Sequence, residues 1–428
     1  MTYEDEVVEE LIGKLGRIES LADIEKAAFA LLKEGKGLDD ASAHAIARKV
    51  AGYGPLQELM DDPEVEDVMI SAPDRVFYHH ARDGMLKSKA AFEGRQELEA
   101  FVRKLLLFSG KTELGMINDL ALPGGARANI VDSPFGPQIT IRRFKHSPLS
   151  IIDLIESGVM DEQLAAQLWL YTEGMGVRPA NILIAGPPAG GKTTLLNALF
   201  SFFPANQRTI VIEDTLELNT ATEENCSRLV SSDGVGLEAL VRNALRMRPD
   251  RLVIGEVRGP EAKGLMTAMN IGKFGLGTVH ASTAREAVTR LENEPMGVPS
   301  ELISLIDVII VISRFARGGA QRRAITEVAE TGGVESGKVL LSTLCEFDVS
   351  TMSLKQLVPS VSYRDRLAQA ARISPKEVME ELERRAWILR ELPKRGLRSI
   401  ADISRFCRRY YENPRGMLTW LGYTEVSK

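Results

Sequence analysis

Residues 186–193, Gly-Pro-Pro-Ala-Gly-Gly-Lys-Thr, match the pattern G-x-x-x-x-G-K-[ST] and decide the fold of the chain around them. The apolar run before them, 181–185 (NILIA), predicts a buried strand, and residues 194–203 (TLLNALFSFF) after them predict a helix. A strand, a glycine-rich loop and a helix in this order cradle the phosphates of a nucleoside triphosphate. A chance glycine turn before a helix is the alternative, and the flanking strand and helix argue against it.

Each residue type in this loop has a separate task in binding phosphate. Glycines let backbone N–H groups approach the phosphates, and the helix N-terminus adds a favourable dipole. Lysine reaches the β- and γ-phosphates, and the threonine hydroxyl contacts Mg²⁺. The pattern therefore predicts ATP and Mg²⁺ as cofactors, held by the loop residues Gly186, Ala189, Gly190, Gly191, Lys192, Thr193 and Thr194.

Strand and helix patterns alternate through the middle of the chain, which predicts an α/β domain with a mainly parallel sheet. Strands are predicted at 181–185, 209–213, 251–255, 276–280 and 307–313. Residues 321–330 and 339–348 are predicted to add an antiparallel hairpin.

The front part of the chain also has a mixed pattern, with strands predicted at 65–70, 75–79, 127–131 and 138–141 and a helix at 96–108. Residues 4–50 and those from 363 onward have apolar spacing typical of helices. We therefore predict four parts: a helical extension at 1–52, a smaller α/β domain at 53–146, the nucleotide domain at 147–348 and a helical region at 349–428. Ser147-Pro148 is the predicted linker or hinge.

Composition limits the location and the partners of the protein. The acidic first six residues do not resemble a secretory signal, and three scattered cysteines offer neither a metal site nor a disulfide framework. We therefore expect a cytoplasmic protein without structural zinc. Residues 1–67 hold 17 acidic against 7 basic side chains, whereas 361–428 hold 15 basic against 9 acidic, so the two ends should meet different partners or each other. A net charge of −6 argues against nucleic acid as the main ligand.

Acidic residues follow two of the predicted strands, and a histidine ends a third. Glu213 ends the predicted strand 209–213 and Asp214 follows it. Glu256 follows the strand 251–255, and His280 ends the strand 276–280. In an open parallel sheet, ligands bind beside the carboxyl ends of the strands, so these side chains should face the phosphate loop. We predict that Glu256 orients water and contributes to the Mg²⁺ site with Thr193, that Glu213 is a second catalytic acid, and that His280 senses the γ-phosphate. The alternatives are capping or loop carboxylates and a structural histidine.

Arginines are the remaining candidates for catalysis. An arginine supplied by another domain or subunit can stabilise the charge that develops in phosphoryl transfer. Arg127, Arg142, Arg143 and Arg258 are candidates for this role, although most arginines are ordinary surface residues.

Taken together, these blocks resemble the secretion and type IV filament ATPase superfamily (GspE-like). The resemblance covers about 53–315 and rests on 210–217 (IVIEDTLE), 251–258 (RLVIGEVR), 277–292 (GTVHASTAREAVTRLE) and the front motifs at 53–79, 124–129 and 140–144. Residues 292–299 (ENEPMGVP) and the tail around 410–414 (YYENP) are similar to archaeal pilus and archaellum motors. Gly190 stands where the family usually has serine, which leaves the backbone amides of the loop in place.

The resemblance implies a RecA-like motor domain, a hexameric ring and nucleotide between the two domains, with Arg127 and Arg142 closing on the phosphates. It also implies a membrane platform protein as the partner and assembly or retraction of a filament as the output. The alternatives are a conjugation-type secretion ATPase, a RecA-like nucleic-acid translocase and a nucleotide-binding scaffold that barely hydrolyses.

Overall fold

The computed structural model describes residues 3–12, 14, 20–81, 83–143, 148–232, 234–317, 320–348 and 350–423. The chain forms two compact units, Met1–Ser147 and Pro148–Lys428. Ser147, one half of the predicted linker, lies outside the described residues. The finer division into four parts, with boundaries after 52, 146 and 348, stays a prediction.

The first unit contains an antiparallel sheet of six strands in the order β3-β2-β1-β6-β5-β4. The strands are β1 (Val65–Ala72), β2 (Arg75–His80), β3 (Gly84–Lys87), β4 (Ile117–Ala121), β5 (Arg127–Val131) and β6 (Gln138–Arg142).

Helices at the front of this unit share one hydrophobic core with the sheet. They are α1 (Tyr3–Leu11), α2 (Leu21–Ala30), α3 (Asp40–Ala51), α4 (Gln57–Asp61) and α5 (Arg95–Ser109). Lys104 of α5 ties three of them together, because its ammonium donates to the Glu4 carboxylate at 2.9 Å and to the Lys49 carbonyl at 2.7 Å. The acidic α1 is therefore docked on its own unit through a buried lysine.

The second unit contains a sheet of nine strands in the order β15-β14-β13-β12-β7-β11-β10-β8-β9. The strands from β12 to β9 in this order are parallel, and β13, β14 and β15 add antiparallel pairs. They are β7 (Ile182–Ala185), β8 (Thr209–Glu213), β9 (Cys226–Val230), β10 (Arg251–Ile254), β11 (Phe274–Val279), β12 (Val308–Arg317), β13 (Ala320–Glu335), β14 (Lys338–Asp348) and β15 (Ser353–Gln356).

Two hydrophobic cores cover the two faces of this sheet. In β7, Ile182 and Ile184 face one core while Leu183 and Ala185 face the other, and all four side chains are buried. Central parallel strands are covered on both faces, which explains their continuous apolar sequences. The helices are α6 (Ile151–Glu156), α7 (Glu162–Glu173), α8 (Lys192–Leu199), α9 (Leu237–Ala244), α10 (Glu261–Asn270), α11 (Ala284–Glu292) and α12 (Ser300–Ile303), followed by the tail helices α13 (Ser362–Ala371), α14 (Pro375–Glu391), α15 (Ile400–Glu412) and α16 (Pro414–Leu421).

The tail helices share a core with α7 and α8, and a buried arginine specifies how they dock. Arg385 of α14 donates to Glu173 of α7 at 2.7 Å and to Glu381 at 2.8 Å, and its guanidinium lies 4.9 Å from the centre of the Trp169 ring. The Tyr410 hydroxyl adds a donor to Glu381 at 3.0 Å. Such an arrangement requires both carboxylates to keep their partner, because buried charges are costly when unpaired.

The α/β fold class, the mainly parallel sheet and the antiparallel hairpin are confirmed. The pattern of residues 151–175 also predicts a helix, but this stretch forms two helices, α6 and α7, and residues 157–161 between them are not helical. None of the helices in the described ranges combines the length and apolar character needed to cross a membrane.

We expect Arg385→Met to lower the free energy of unfolding by about 3–5 kcal/mol, because it leaves Glu173 buried without a cation and removes one of the two arginines that pair with Glu381. Arg390→Met, an exposed position on the same helix, is the control and should change stability by no more than about 0.5 kcal/mol. Urea denaturation of both variants measures the difference. Equal stability of the two would show that the Arg385 cluster does not hold the tail in place.

Candidate functional site

Four parallel strands of the second unit end at the same edge of the sheet. Ile254 of β10 lies beside Ile212 of β8 and Gly277 of β11, and Val279 of β11 lies beside Ala185 of β7. The loops that follow these strands therefore start side by side. This edge carries the phosphate loop and three of the catalytic candidates predicted from the sequence, Glu213, Glu256 and His280.

The phosphate loop turns tightly into α8, and several of its positions have no room for a side chain larger than that of glycine. Gly191 caps the helix with φ of 107°, a conformation that favours glycine. A methyl group on Gly186 would lie 2.3 Å from the Ile312 carbonyl oxygen, and one on Gly190 would lie 2.9 Å from that of Pro187. Glycine at 190 is thus required by the space available here, which gives a physical reason for the departure from the serine usual in the family.

The start of α8 leaves backbone donors for a ligand. The first helical hydrogen bond runs from the Leu195 N–H to the Gly191 carbonyl at 2.9 Å. The N–H groups of Lys192, Thr193 and Thr194 precede it and have no partner within the helix. This row of donors at a helix N-terminus fits a phosphate group.

Lys192 is folded against the loop and is only 7% exposed. Its ammonium donates to the carbonyls of Gly186 at 3.0 Å and Pro187 at 3.1 Å, and to Nδ1 of His280 at 3.0 Å. Burial lowers the pKa of Lys192, and the nearby carboxylates of Glu256 and Glu217 oppose that change.

His280 connects this lysine to the acid of the next strand. Its Nε2 lies 2.6 Å from Oε1 of Glu256. Because Nδ1 accepts from Lys192, the consistent neutral tautomer carries its proton on Nε2 and donates it to Glu256. The three predicted residues therefore form one chain of contacts at the strand edge.

Glu213 is in a different position from the one expected of an acid that contacts nucleotide. Its side chain is 2% exposed, and Oε1 accepts from the N–H groups of Glu217 and Leu218, both at 2.8 Å. Oε2 pairs with Arg228 at 3.0 Å. Burial raises the pKa of Glu213, whereas these three partners lower it. The carboxylate shapes the loop that follows β8.

Glu217 is the acid that this loop brings to the phosphate loop, and sequence reasoning missed it. The Thr193 hydroxyl donates to Oε2 of Glu217 at 3.1 Å. Asn197 of α8 donates to the Glu217 carbonyl at 3.3 Å and accepts from the Asn219 N–H at 2.7 Å. The carboxylate next to the predicted Mg²⁺ ligand Thr193 is therefore that of Glu217.

The arginine candidates lie in both units. Arg258 follows β10, has a side chain that is 63% exposed and contacts the Asp214 carboxylate. In the first unit, Arg127 and Arg142 are direct partners across β5 and β6, and Arg142 donates to Asp67 at 2.9 Å. The two arginines therefore lie side by side at one end of the β5–β6 pair, two interior strands of that sheet.

Neighbouring Arg143 has a structural task instead. Its guanidinium donates to the carbonyl of Leu59 within α4 and to those of Asp62 and Val65 just after that helix. It is bound within its own unit.

The residues present fit Mg²⁺-bound nucleotide. The described residues contain no group of three or more His, Cys, Asp or Glu side chains arranged to hold a metal ion. Mg²⁺ in nucleotide sites typically takes only one or two protein carboxylates, with phosphates and water completing the shell. The Thr193 hydroxyl beside the Glu217 carboxylate matches this requirement.

The family model described as Type II/IV secretion system protein matches residues 125–381, more than half of the chain. The uncharacterized protein MJ0900 of Methanocaldococcus jannaschii is 31% identical over 393 residues, which cover 87% of this chain and 70% of that protein. The conjugal transfer protein TrbB of Rhizobium radiobacter is 30% identical over 278 residues, covering 62% of this chain and 84% of that protein.

Among solved structures, the ATPase DotB of Legionella pneumophila is 18% identical with a TM-score of 0.44, covering 86% of this chain and 95% of that one. The resemblance stated from the sequence motifs is confirmed by the family model and the relatives. This chain belongs to the type II/IV secretion ATPase superfamily.

Proposed function

We propose that the protein hydrolyses ATP with Mg²⁺ and uses the energy for mechanical work. The observation that carries this proposal is the convergence of Lys192, His280, Glu256 and Glu217 on one phosphate loop at the carboxyl edge of a parallel sheet. A scaffold that only binds nucleotide would need the loop but not the acids and the histidine around it.

The roles of the residues follow from their positions. Backbone N–H groups of Lys192 to Thr194 and the Lys192 ammonium bind phosphate oxygens, and Thr193 holds Mg²⁺. Bound Mg²⁺ neutralises charge on the β- and γ-phosphates. Glu217, beside Thr193, is the candidate that orients the attacking water.

The second acid, Glu256, is hydrogen-bonded to His280, and His280 contacts Lys192. Glu256 remains a candidate for water activation and for the Mg²⁺ site. Glu213 holds the loop of Glu217 in shape.

Ring assembly is part of the proposal. The superfamily resemblance implies six subunits, and Arg127, Arg142 and Arg258 are the candidates for closing positive charge around the phosphates. Arg258 follows the same strand as Glu256, whereas Arg127 and Arg142 belong to the other unit. We infer that the site is completed when the two units, of one chain or of neighbouring chains, come together.

The mechanical output is proposed to be assembly or retraction of a pilus-like or archaellum-like filament, in the cytoplasm at the inner face of the membrane. The partner would be a membrane platform protein, and the helices α1 to α3 of the acidic segment 4–50 and the basic tail helices are the candidate docking surfaces. No nucleic-acid partner and no structural zinc are proposed. The similarity to TrbB favours a conjugation-type secretion ATPase as the second candidate. A nucleic-acid translocase would require hydrolysis stimulated by DNA or RNA.

Lys192→Ala should lower kcat for ATP hydrolysis by about 100-fold or more, because it removes the cation that stabilises charge on the phosphates. Phosphate release at saturating ATP and Mg²⁺ is the measurement. Lys376→Ala, an exposed lysine of α14, should keep normal turnover. Near-normal hydrolysis by the Lys192 variant would disprove the phosphate-loop assignment.

Glu217→Gln should bind ATP normally and lose about 100-fold or more in kcat, the scale of a lost general base. Glu256→Gln should also bind ATP and hydrolyse it slowly. Glu213→Gln keeps an oxygen for the two N–H groups but loses the charge that pairs with Arg228, so its main defect should be thermal stability. Turnover and thermal unfolding of the three variants decide among the acids. A larger kcat loss in the Glu213 variant, at unchanged stability, would make Glu213 the catalytic acid.

The Arg142→Ala and Lys192→Ala proteins should each be inactive alone. Mixing them should restore activity, because a mixed ring contains sites where an intact arginine of one subunit meets an intact phosphate loop of its neighbour. Hydrolysis is measured across mixing ratios, with particle mass measured alongside. Mixtures of wild-type protein with each variant set the scale. Full activity in a strictly monomeric protein would rule out supply of the arginine by another subunit.

A further inference from the structure

Residues 214–225, which we name the acid loop, connect β8 to β9 and carry Glu217. The front of the loop is held by Glu213 and by Asn197, which bind the backbone at 217–219. Leu218 adds a fully buried side chain to the core beneath. The polar contacts at this end of the loop come from β8 and α8.

The far end of the acid loop is held by the tail. Arg408 of α15 donates to the Thr222 carbonyl at 2.6 Å and to Oε1 of Glu223 at 2.9 Å. The Glu223 side chain is only 4% exposed. A tail residue thus binds both the backbone and a buried carboxylate of the loop that carries the proposed catalytic acid.

The middle of the loop links these two ends through its own hydrogen bonds. The Glu223 N–H donates to the Thr220 carbonyl at 2.9 Å, and the Ala221 N–H donates to Oδ1 of Asn219 at 3.0 Å. Asn219 is in turn bound by Asn197 of α8. Residues 219–223 are therefore joined by hydrogen bonds within the loop, and this segment leads directly back to Glu217.

The Glu223 carboxylate depends on cations from two other elements. Burial raises the pKa of Glu223 to about 7, and the positive charges of Arg408 and Arg251 oppose this rise. Arg251, the first residue of β10, is fully buried, and neither terminal nitrogen of its guanidinium meets a hydrogen-bond acceptor among the described residues. Without Arg408, the Thr222 carbonyl and the Glu223 carboxyl would both lose the donor that holds them to α15, so this end of the loop would no longer be fixed to the tail.

We propose that Arg408 is a positioning residue for hydrolysis: through Thr222 and Glu223 the tail helix α15 sets the acid loop, and with it the Glu217 carboxylate beside Thr193. This inference rests on the proposed ATPase function and names a tail residue in it. The tail is then part of the catalytic arrangement as well as a cover for the core.

Docking of the tail itself does not depend on Arg408. Tyr411 of the same helix accepts from the Trp169 indole N–H at 2.6 Å and donates to the Phe202 carbonyl at 2.9 Å. Tyr410 donates to Glu381 of α14 at 3.0 Å. A change at Arg408 can therefore release the loop while α15 stays in place.

The test compares Arg408→Met with Arg405→Met, an exposed arginine one turn earlier on α15. The first should lower kcat by about 10- to 100-fold, the effect of a small misplacement of a catalytic group, and leave KM and ATP affinity within twofold. Arg408→Lys should recover most of the loss, because lysine can donate to both loop oxygens. Arg405→Met should behave as wild type.

Hydrogen–deuterium exchange provides a readout that does not need activity. Arg408→Met should exchange faster than wild type at the backbone amides of 217–223, with tail amides unchanged, and Glu223→Gln should show a smaller increase. Unchanged exchange and unchanged kcat in Arg408→Met would overturn the inference, as would equal losses of kcat, ATP affinity and thermal stability without rescue by lysine. If the wild-type protein did not hydrolyse ATP, only the proposed function would be refuted. The exchange rates of the acid loop in Arg408→Met would then still test whether Arg408 holds that loop.

Discussion

The parallel register of β7, β8, β10 and β11 is the constraint on which the site depends. Side chains alternate between the two faces of a strand, so a slip of one residue in β10 would exchange Val253 on one core with Leu252 and Ile254 on the other and disrupt the packing of both cores. All four residues of β10 are buried, which makes such a slip prohibitive. The same register brings Glu256 within 2.6 Å of His280 and leaves His280 within 3.0 Å of Lys192. Hydrophobic burial, which is not directional, thereby sets the geometry of a polar site.

Polar contacts then close the site around the phosphate loop. Lys192 connects through His280 to Glu256, and Arg258 of the same β10 loop contacts Asp214 of the acid loop. The acid loop returns to the phosphate loop through Glu217 and the hydroxyl of Thr193. Together with the covalent chain between Glu256 and Arg258 and between Asp214 and Glu217, these contacts form a closed ring that joins the phosphate loop, the β10 loop and the acid loop. The buried ion pairs of the tail, Arg385 with Glu173 and Glu381, act mainly by specifying how the tail helices dock. Such pairs add little net stability, because burying the two charges costs about as much as their attraction returns.

The fold was predictable where the strands are central and not where they are at an edge. Every predicted strand of the two sheets is present, but β3, β4, β9 and β15 were missed, and these are the two outermost strands of each sheet. Their residues are mostly exposed or half-buried. An edge strand needs no continuous apolar run, because only one side of it is paired and often only one face is covered. Its signal in the sequence is therefore close to that of a loop, and tertiary pairing decides its structure.

The site was predictable to the level of strand ends but not of individual carboxylates. The acidic pair after β8 indicates where charge emerges from the sheet, yet a strand covered on both faces gives no alternation to show where its last side chain points. Glu213 continues the buried run of β8, and its carboxylate is used to bind two N–H groups of the turn that follows. Glu217 follows Glu213 by four residues, and that turn places it beside Thr193 at the start of α8. The buried acid thus creates the loop geometry that exposes the second acid, and the two glutamates of the motif have different tasks because one is desolvated and the other is not.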